Sequence, residues 1–299
     1  MRMAELAVRT TAIPGLLVFD LPVHGDDRGW FKENWQREKM LALGLPDLEP
    51  VQNNMSFNAE KGATRGLHAE PWDKLIGLAH GRILGAWVDL REGPSFGATF
   101  VLEMGVDKAV YVPRGIANGY QALEDDTVYS YLVNDHWSPE ARGQYTYLNL
   151  ADETVAIPWP IPLAEATISD ADAAHPRLAD VVPMKPRRTL IVGAQGQLGV
   201  ALRALYPDAD GVDVAELDLT DADAVAAFPW GRYGTIVNAA AYTAVDTAET
   251  PEGRVACWAI NVTAVGRLAR AAREHRATLV HVSSDYVFDG TAELHAEDE

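Results

Sequence analysis

Three side chains suited to proton transfer and anion binding fall close together in the sequence: Arg65, His68 and Lys74. Histidine, with an ordinary pKa of about 6.5, is largely neutral at pH 7 and can accept a proton. Arginine can contact a diphosphate in bidentate geometry, and a lysine in dry surroundings can hold a developing anion. Because His68 has these two cations nearby, we predict a catalytic role for it. The alternative is a hydrogen-bonded core histidine.

The elements that must position this group are predicted to be strands. Short runs of β-branched, aromatic and aliphatic residues recur between Gly, Pro, Asp and Asn at 15–19, 83–90, 99–102, 109–112 and 127–133. That spacing is typical of a β-sandwich or barrel. In the last run, side-chain alternation places Tyr129, Tyr131 and Val133 on one face. A helical pattern is expected only around 36–43.

The other histidines do not predict a metal centre. A metal-binding barrel of this kind commonly uses closely spaced histidines such as His-x-His, and no two histidines here are separated by one residue. We therefore expect no metal. Most of the remaining histidines are expected on the surface or in loops, namely His24, His136, His175, His275 and His295.

A different pattern follows a proline-rich connector at 158–186, and we place the domain boundary after residue 183. Apolar strands at 189–192, 235–238 and 279–282 alternate with helical stretches at 198–205 and 262–273. Such alternation is typical of a doubly wound parallel sheet. The second domain, 184–299, is therefore predicted to be α/β.

A glycine-rich motif, Gly-Ala-Gln-Gly-Gln-Leu-Gly at 193–199, follows the first of these strands and opens a helix. The glycines permit a tight turn, and the helix N-terminus presents free N–H groups to a pyrophosphate. Asp213 lies about 20 residues on, where a ribose-binding acid often sits. Asp218 is an equal candidate for contacts around the adenine. We predict dinucleotide binding in a Rossmann-type domain, the alternative being a tight strand–helix turn without a ligand.

Composition excludes several classes of protein. The chain has 299 residues and a formal net charge of −18, which disfavours binding to nucleic-acid phosphates. No apolar run approaches the ~18–20 residues that span a bilayer. The single cysteine, Cys257, cannot form an internal disulfide, so we expect a cytoplasmic protein.

Most of residues 13–178 resemble the dTDP-4-dehydrorhamnose 3,5-epimerases, which are cupin jelly rolls. The resemblance rests on segments at 27–33, 52–56, 65–68, 74–76, 87–91, 112–120, 129–131 and 168–172. It implies a dTDP-linked 4-keto-6-deoxyhexose substrate and a reaction that needs no cofactor. The protons on C3 and C5 lie α to the ketone, so removing one gives an enolate.

The resemblance also implies roles for individual residues. His68 would be the base, Asp172 the carboxylate that orients it, and Lys74 the donor to the enolate oxygen. Tyr131 would deliver a proton on the opposite ring face. The alternatives are barrel packing for Tyr131 and a solvated loop position for Asp172. Substrate contacts are implied for a further set of polar residues, Arg28, Glu33, Gln52, Asn54, Arg65 and Asn118.

Three positions depart from the pattern of the epimerases. The chain has His-Ala-Glu at 68–70 where the family commonly has His-Tyr-Gln. Asn118 stands in place of a second histidine, and Trp137 replaces a tyrosine. Asn118 can form hydrogen bonds but cannot titrate. Epimerisation at one carbon only, or of a differently substituted sugar, therefore remains open.

Residues 189–290 resemble the dTDP-4-dehydrorhamnose reductases of the extended short-chain dehydrogenase superfamily, in the segments 193–199, 237–246 and 282–290 and at Asn261. The resemblance implies NADH or NADPH as cofactor and Ser284 as the hydroxyl that polarises the substrate carbonyl. The implied cofactor contacts are Gly193, Gln195, Gly196, Gln197, Leu198, Asp218, Ala239, Ala240, Ala241 and Tyr242. The Tyr-x-x-x-Lys pair of these reductases does not occur in the chain, which we expect to be a fragment of a longer fusion.

The combined expectation is a two-domain chain, with an all-β cupin jelly roll followed by an α/β Rossmann-type domain that is incomplete at its C-terminus. Epimerisation and 4-keto reduction would be successive steps of deoxysugar synthesis. The alternative is a non-catalytic sugar-nucleotide-binding or dimerising module fused to the reductase. The epimerase resemblance also implies a homodimer formed through the cupin domain.

Overall fold

The computed structural model describes residues 5–284, 288 and 291, and it divides the chain into two compact units, 1–185 and 186–299. Within the described residues, no helix is both long enough and apolar enough to cross a bilayer. The first unit contains almost all of its regular structure in strands, as the sequence predicts, with helices α1 (Arg37–Ala42) and α2 (Asp170–Ala173) and short 3₁₀ turns at Glu140–Gln144 and Leu178–Asp180.

The strands of the first unit are β1 (Ala7–Thr10), β2 (Leu17–Asp20), β3 (Val23–Asp26), β4 (Gly29–Lys32), β5 (Gln52–Asn58), β6 (Thr64–Ala69), β7 (Lys74–His80), β8 (Ile83–Asp89), β9 (Thr99–Met104), β10 (Lys108–Val112), β11 (Ile116–Ala122), β12 (Thr127–Val133) and β13 (Thr146–Tyr147). A six-stranded sheet has the order β1-β2-β10-β7-β12-β5, and a five-stranded sheet the order β13-β6-β11-β8-β9. All their pairings are antiparallel, and β3 and β4 form a separate hairpin. The five predicted strands are confirmed, with ends moved by one or two residues.

The main core of the first unit lies between these two sheets. Ile76 on β7 and Val110 on β10 come from one sheet, while Trp87 on β8 and Ile116 on β11 come from the other, and all are nearly inaccessible to solvent. Burying such side chains contributes roughly 1.5–3 kcal/mol each. This packing makes the two sheets a rigid frame for polar groups that project between them.

Strands β6 and β11 approach each other unusually closely, and a register shift follows Asn118. Gly66 has a φ of +115°, and a Cβ added there would lie 2.5 Å from the Gly119 Cα and 2.8 Å from the Asn118 carbonyl oxygen. Only glycine tolerates both the backbone conformation and the contact. The approach fixes the strand that carries His68 against the strand that carries Asn118.

We expect Gly66→Ala to lower the free energy of unfolding by about 2–5 kcal/mol, because backbone strain and overpacking add. Urea unfolding measures the loss. Gly143→Ala is the matched control, since a Cβ at Gly143 meets nothing within 4 Å. Equal stabilities of the two variants would contradict the packing described here.

The second unit contains a parallel four-stranded sheet with the order β15-β14-β16-β17, as the alternation of strands and helices predicts. Its strands are β14 (Arg188–Val192), β15 (Asp210–Val212), β16 (Tyr233–Asn238) and β17 (Thr278–His281). Its helices are α3 (Gln197–Leu205), α4 (Ala222–Ala227), α5 (Val245–Ala248), α6 (Pro251–Trp258) and α7 (Val265–Glu274), with a 3₁₀ turn at Trp230–Arg232. The helix predicted at 262–273 is partly wrong, because a π-helical segment occupies Ala259–Ala264 before α7 begins.

Candidate active site

The candidate site lies in the first unit where the two sheets face each other. His68 on β6 is directly paired with Asn118 on β11. Lys74 on β7 and Tyr131 on β12 lie on adjacent strands of the opposite sheet. The Lys74 Nζ donates a 2.7 Å hydrogen bond to the Asn118 Oδ1, which connects the two groups across the barrel.

His68 and Asp172 form a dyad, although 104 positions separate them in the chain. The His68 Nε2 lies 2.8 Å from the Asp172 Oδ1, and the Gly66 N–H donates to the Asp172 Oδ2 at 3.2 Å. Asp172 is presented by the short helix α2, which begins after Ser169; the Ser169 Oγ accepts a hydrogen bond from the Asp172 N–H. With Nε2 facing the carboxylate, Nδ1 is the ring nitrogen left for a substrate proton.

The pKa of Asp172 is well below its ordinary value. Burial by itself would raise it, but the nearby His175 ring, the hydrogen bond and charge of His68 and the Gly66 N–H together outweigh burial. The carboxyl group is therefore ionised throughout the neutral range. An ionised partner fixes the orientation of the His68 ring and stabilises the imidazolium that forms when the ring accepts a proton.

His175 lies in a loop, which agrees with the expectation of a surface or loop position, but its side chain is not exposed to solvent. It follows α2 in the chain, but its side chain is only 12% exposed and its Nε2 lies 3.2 Å from the Asp172 Oδ1. The ring stacks on Tyr147 at a centroid distance of 4.5 Å and meets His68 edge-on at 5.4 Å. It lies three residues after Asp172, just under one helical turn, but its burial depends on Tyr147, which is distant in the sequence.

Lys74 has a buried acidic partner that the sequence analysis did not identify. Its Nζ forms an ion pair with the Glu70 Oε2, and the two side chains are only 5% and 10% exposed. Burial lowers the pKa of Lys74, whereas the Glu70 charge and hydrogen bond act to raise it. The pKa of Lys74 is lowered overall, and the ion pair opposes that shift and so favours the ammonium form in this dry pocket.

Tyr131 borders the same pocket. The Lys74 Nζ lies 5.4 Å from the centre of the Tyr131 ring. Burial, with a further contribution from the Glu70 charge, raises the pKa of Tyr131 to about 12, although Arg65 opposes the shift. The phenol is therefore protonated at neutral pH and available as a proton donor. Tyr129 shares its face of β12, as predicted, with ring centres 5.8 Å apart.

Apart from Asn118, which is described above, the predicted binding residues fall into two groups. Arg65 donates to the Asn58 Oδ1 at 3.0 Å, next to the candidate site on β6. Gln52 and Asn54 are joined by a 2.8 Å hydrogen bond on β5, whose neighbour β12 carries Tyr131 opposite Asn54. These three belong to strands that surround the pocket.

Arg28 and Glu33 lie at the β3–β4 hairpin instead. Arg28 is paired with Asp26 at the turn and its side chain is 90% exposed, while Glu33 pairs with Lys39 at 2.6 Å. Neither forms a described contact with the dyad or with Lys74. Their assignment to substrate binding stays a prediction.

The glycine-rich motif of the second unit forms the turn between β14 and α3. Gly193 has a φ of +76° and packs against the loop after β16, so that a Cβ there would lie 2.7 Å from the Ala240 N. Gly196 is the residue before α3 and has no side chain to cap the helix. No capping side chain therefore accepts hydrogen bonds from the first N–H groups of α3. Gln195, Gly196, Gln197 and Leu198 are all exposed.

The other predicted cofactor residues surround this turn or lie nearby along the chain. Asp213 follows β15 and its Oδ2 accepts a 2.9 Å hydrogen bond from the Gln195 N–H. Asp218 instead accepts from Thr220, which contributes to lowering its pKa. The loop after β16 contains Ala239, Ala240, Ala241 and Tyr242 and is held by Asn261, whose side chain bonds both the N–H and the C=O of Tyr242.

Ser284 lies three residues after the end of β17 and is exposed. Most of the final matching segment, at 285–287 and 289–290, lies outside the described residues. The contribution of Ser284 to a reductase site therefore stays a prediction.

Comparison with known proteins identifies the first unit. The family model for dTDP-4-dehydrorhamnose 3,5-epimerase matches residues 10–180. The chain belongs to this family. The predicted epimerase-like isomerase of cupin type is thereby confirmed. A second model, the RmlD substrate binding domain, matches residues 187–299, which confirms that the two resemblances follow one another along the chain.

Individual relatives of the epimerase family agree. A protein of Streptococcus pyogenes described as an RmlC homolog is 52% identical over 180 residues, covering 58% of this chain and 90% of the relative. The dTDP-4-dehydrorhamnose 3,5-epimerase of Salmonella typhimurium is 30% identical over 176 residues, covering 56% of this chain and 94% of that enzyme. The solved structure of RmlC from Streptococcus suis in complex with dTDP-D-xylose has a TM-score of 0.59 and 52% identity, covering 61% of this chain and 96% of that one.

Proposed function

We propose that the first unit epimerises C3, C5 or both of a dTDP-linked 4-keto-6-deoxyhexose, with His68 as the base. The observation that carries the proposal is the 2.8 Å contact between the His68 Nε2 and the Asp172 Oδ1. His68 is also paired with Asn118, which accepts the hydrogen bond from Lys74. A general base positioned in this way contributes about 10²–10⁴ to the rate. The dTDP-sugar bound to the Streptococcus suis relative supports the substrate class.

The mechanism follows from the chemistry of these groups. His68 Nδ1 takes the proton from the carbon next to the ketone, and Asp172 stabilises the resulting imidazolium. Lys74 donates to the oxygen that becomes negative in the enolate. Tyr131 returns a proton from the other face of the ring, which inverts the centre. Each step uses side chains of the chain alone, so the reaction needs no cofactor.

The rest of the pocket would bind the nucleotide. Arg65 offers the bidentate geometry that suits a diphosphate, and Gln52 and Asn54 offer neutral amide donors. Asn118 replaces a titratable histidine and is already engaged by Lys74, so we assign it to positioning Lys74 and the 4-keto group.

Solvent exchange tests the proposal directly. Incubated in D₂O with dTDP-4-keto-6-deoxyglucose, the protein should incorporate deuterium at C3, at C5 or at both, as read by NMR. The position of the label reports which centres react. Absence of label with folded protein that binds dTDP would instead favour the alternative of a non-catalytic sugar-nucleotide-binding module.

For the second unit, we propose a Rossmann-type site that binds NADH or NADPH. The match to the RmlD substrate binding domain, the glycine turn and the uncapped start of α3 support this. Gly193, Gly196 and the N-terminus of α3 would hold the pyrophosphate, Asp213 or Asp218 the adenosine, and the loop at 239–242 the nicotinamide side. A bound nicotinamide would supply hydride to a 4-keto carbon, and Ser284 would polarise that carbonyl.

A charge placed at the glycine turn tests this site. We expect Gly196→Asp to abolish binding of NADH and NADPH, because its carboxylate repels the pyrophosphate. Aspartate is a good residue for the start of a helix, so α3 should persist. Gly196→Ser is the control, because serine is also favoured at the start of a helix but is neutral. Calorimetry measures the affinity of both variants for NADH and NADPH. Equal affinities for the two variants would place the dinucleotide elsewhere.

We also propose that the first unit forms a homodimer in the cytoplasm, as its resemblance implies. Strand β5 is an outer strand of its sheet and exposes Met55 and Phe57, at 67% and 59%. Exposed apolar side chains on an unpaired sheet edge favour association. Light scattering on the protein in solution measures the mass of the assembly.

A further inference from the structure

Three potential metal ligands meet at the dyad. The His68 Nε2, a carboxylate oxygen of Asp172 and a ring nitrogen of His175 come from β6, α2 and the residues just after α2. Their candidate ligand atoms all lie within 4.8 Å of one another. Among the residues that the structure describes, these three form the group of His, Cys, Asp or Glu side chains that is close enough to hold a metal ion. The spacing of histidines in the sequence did not indicate this group, because His68 and His175 are 107 positions apart.

The Nε2 of His175 points to a missing ligand. It is buried and has no hydrogen bond of acceptable geometry, although the Asp172 Oδ1 lies 3.2 Å away. Stacking on Tyr147 fixes the ring in this place. A buried ring nitrogen that is held next to a carboxylate without a good hydrogen bond is an arrangement that a cation would satisfy.

The spacing of these atoms suits a transition metal. Zinc binds imidazole nitrogen at about 2.0–2.1 Å and carboxylate oxygen at about 2.0–2.2 Å, so neighbouring ligands in a tetrahedral site lie about 3.4 Å apart. The two nitrogen–oxygen separations here are 2.8 Å and 3.2 Å. Small shifts of the side chains would therefore admit the ion.

We propose that His68, Asp172 and His175 form a binding site for a divalent transition metal of the Zn²⁺ class, and that the bound metal inhibits the epimerase. The inhibition, but not the binding, rests on the function proposed above. A metal on the His68 Nε2 leaves the ring proton on Nδ1, so that Nδ1 can no longer accept a proton from the substrate. The proton only moves within the ring, and no oxidant or other reactant is required.

Metal binding is tested first and without any assay of turnover. Tag-free protein is titrated with ZnSO₄ by calorimetry and with CoCl₂ by visible absorption. We expect one strong site, with His175→Phe weakening binding at least tenfold, because phenylalanine keeps a ring against Tyr147 but has no ligand nitrogen. His136→Phe, at an exposed position, should bind like the unmodified protein. Equal affinities for the protein and His175→Phe, or no binding at all, would overturn the proposal.

Inhibition is tested second, with each protein compared with its own rate in chelator. Zn²⁺ should inhibit the unmodified protein and His136→Phe, and chelator should restore the rate. His175→Phe should retain its rate at the same Zn²⁺ concentration. Loss of metal binding in His175→Phe without any change in sensitivity would overturn the inhibitory role. Strong binding by a protein that never exchanges deuterium would uphold the site and count against the proposed epimerase.

Discussion

His68→Asn should lower kcat/KM for epimerisation by about 10²–10⁴, since it removes the proton acceptor while retaining a polar side chain of similar size. Asparagine can still reach Asp172, so the carboxylate is not left without a partner. Rates of deuterium incorporation measure the loss. Affinity for dTDP, measured by calorimetry, should change little because the proposed diphosphate contact is Arg65 rather than His68.

The matched control is His80→Asn, at an exposed position at the end of β7. It should retain full activity. A His68→Asn variant that is folded, binds dTDP and exchanges deuterium at more than a tenth of the original rate would remove His68 from the role of base.

Removing the charge of Lys74 should lower kcat by about 10²–10³, the range measured for loss of one oxyanion donor. The clean variant is the double substitution Lys74→Met with Glu70→Gln. Lys74→Met alone would leave Glu70 as an uncompensated buried carboxylate and cost about 3–5 kcal/mol of stability. Steady-state kinetics and urea unfolding of both variants separate catalysis from folding. A double variant with unchanged kcat would exclude Lys74 from the reaction.

Glu70→Gln alone should give a pH-dependent loss. Burial lowers the pKa of Lys74 and the Glu70 charge opposes that shift, so the substitution lowers the pKa further. Because the charged form of a lysine disappears as the pH rises through its pKa, the alkaline limb of the kcat profile should move to lower pH. As the pH falls, the activity of the variant should approach that of the unmodified protein at the same pH, whereas the double variant should remain slower at every pH. An unchanged alkaline limb would contradict the role assigned to the ion pair.

The sequence predicted much of this site because its chemistry depends on short motifs. The segment at 65–68 places His68 and Arg65 on one strand, and strand alternation places Tyr131 with Tyr129. Asp172 was implied by the family resemblance, and the structure gives its position a local basis, since Ser169 caps the short helix that presents the carboxylate. The strand placements are local, whereas the contact of Asp172 with His68 joins residues 104 positions apart and was implied by the resemblance alone.

The features that were missed depend on contacts between distant elements. The burial of His175 results from its stacking on Tyr147 of β13, which no spacing in the sequence indicates. Glu70 stands where glutamine is common in the resembling family, and only the tertiary structure shows its charge directed at Lys74. The π-helical segment at Ala259–Ala264 was also missed, because its sequence has no feature that distinguishes it from an ordinary helix.

The hydrogen bond from Lys74 to Asn118 has a consequence for how this protein can change. It is both a contact of the proposed reacting group and a bridge between the two sheets. Thermal stability and catalytic rate therefore depend on the same hydrogen bond. A substitution that strengthens this hydrogen bond during adaptation to higher temperature should also change the rate of the proposed reaction.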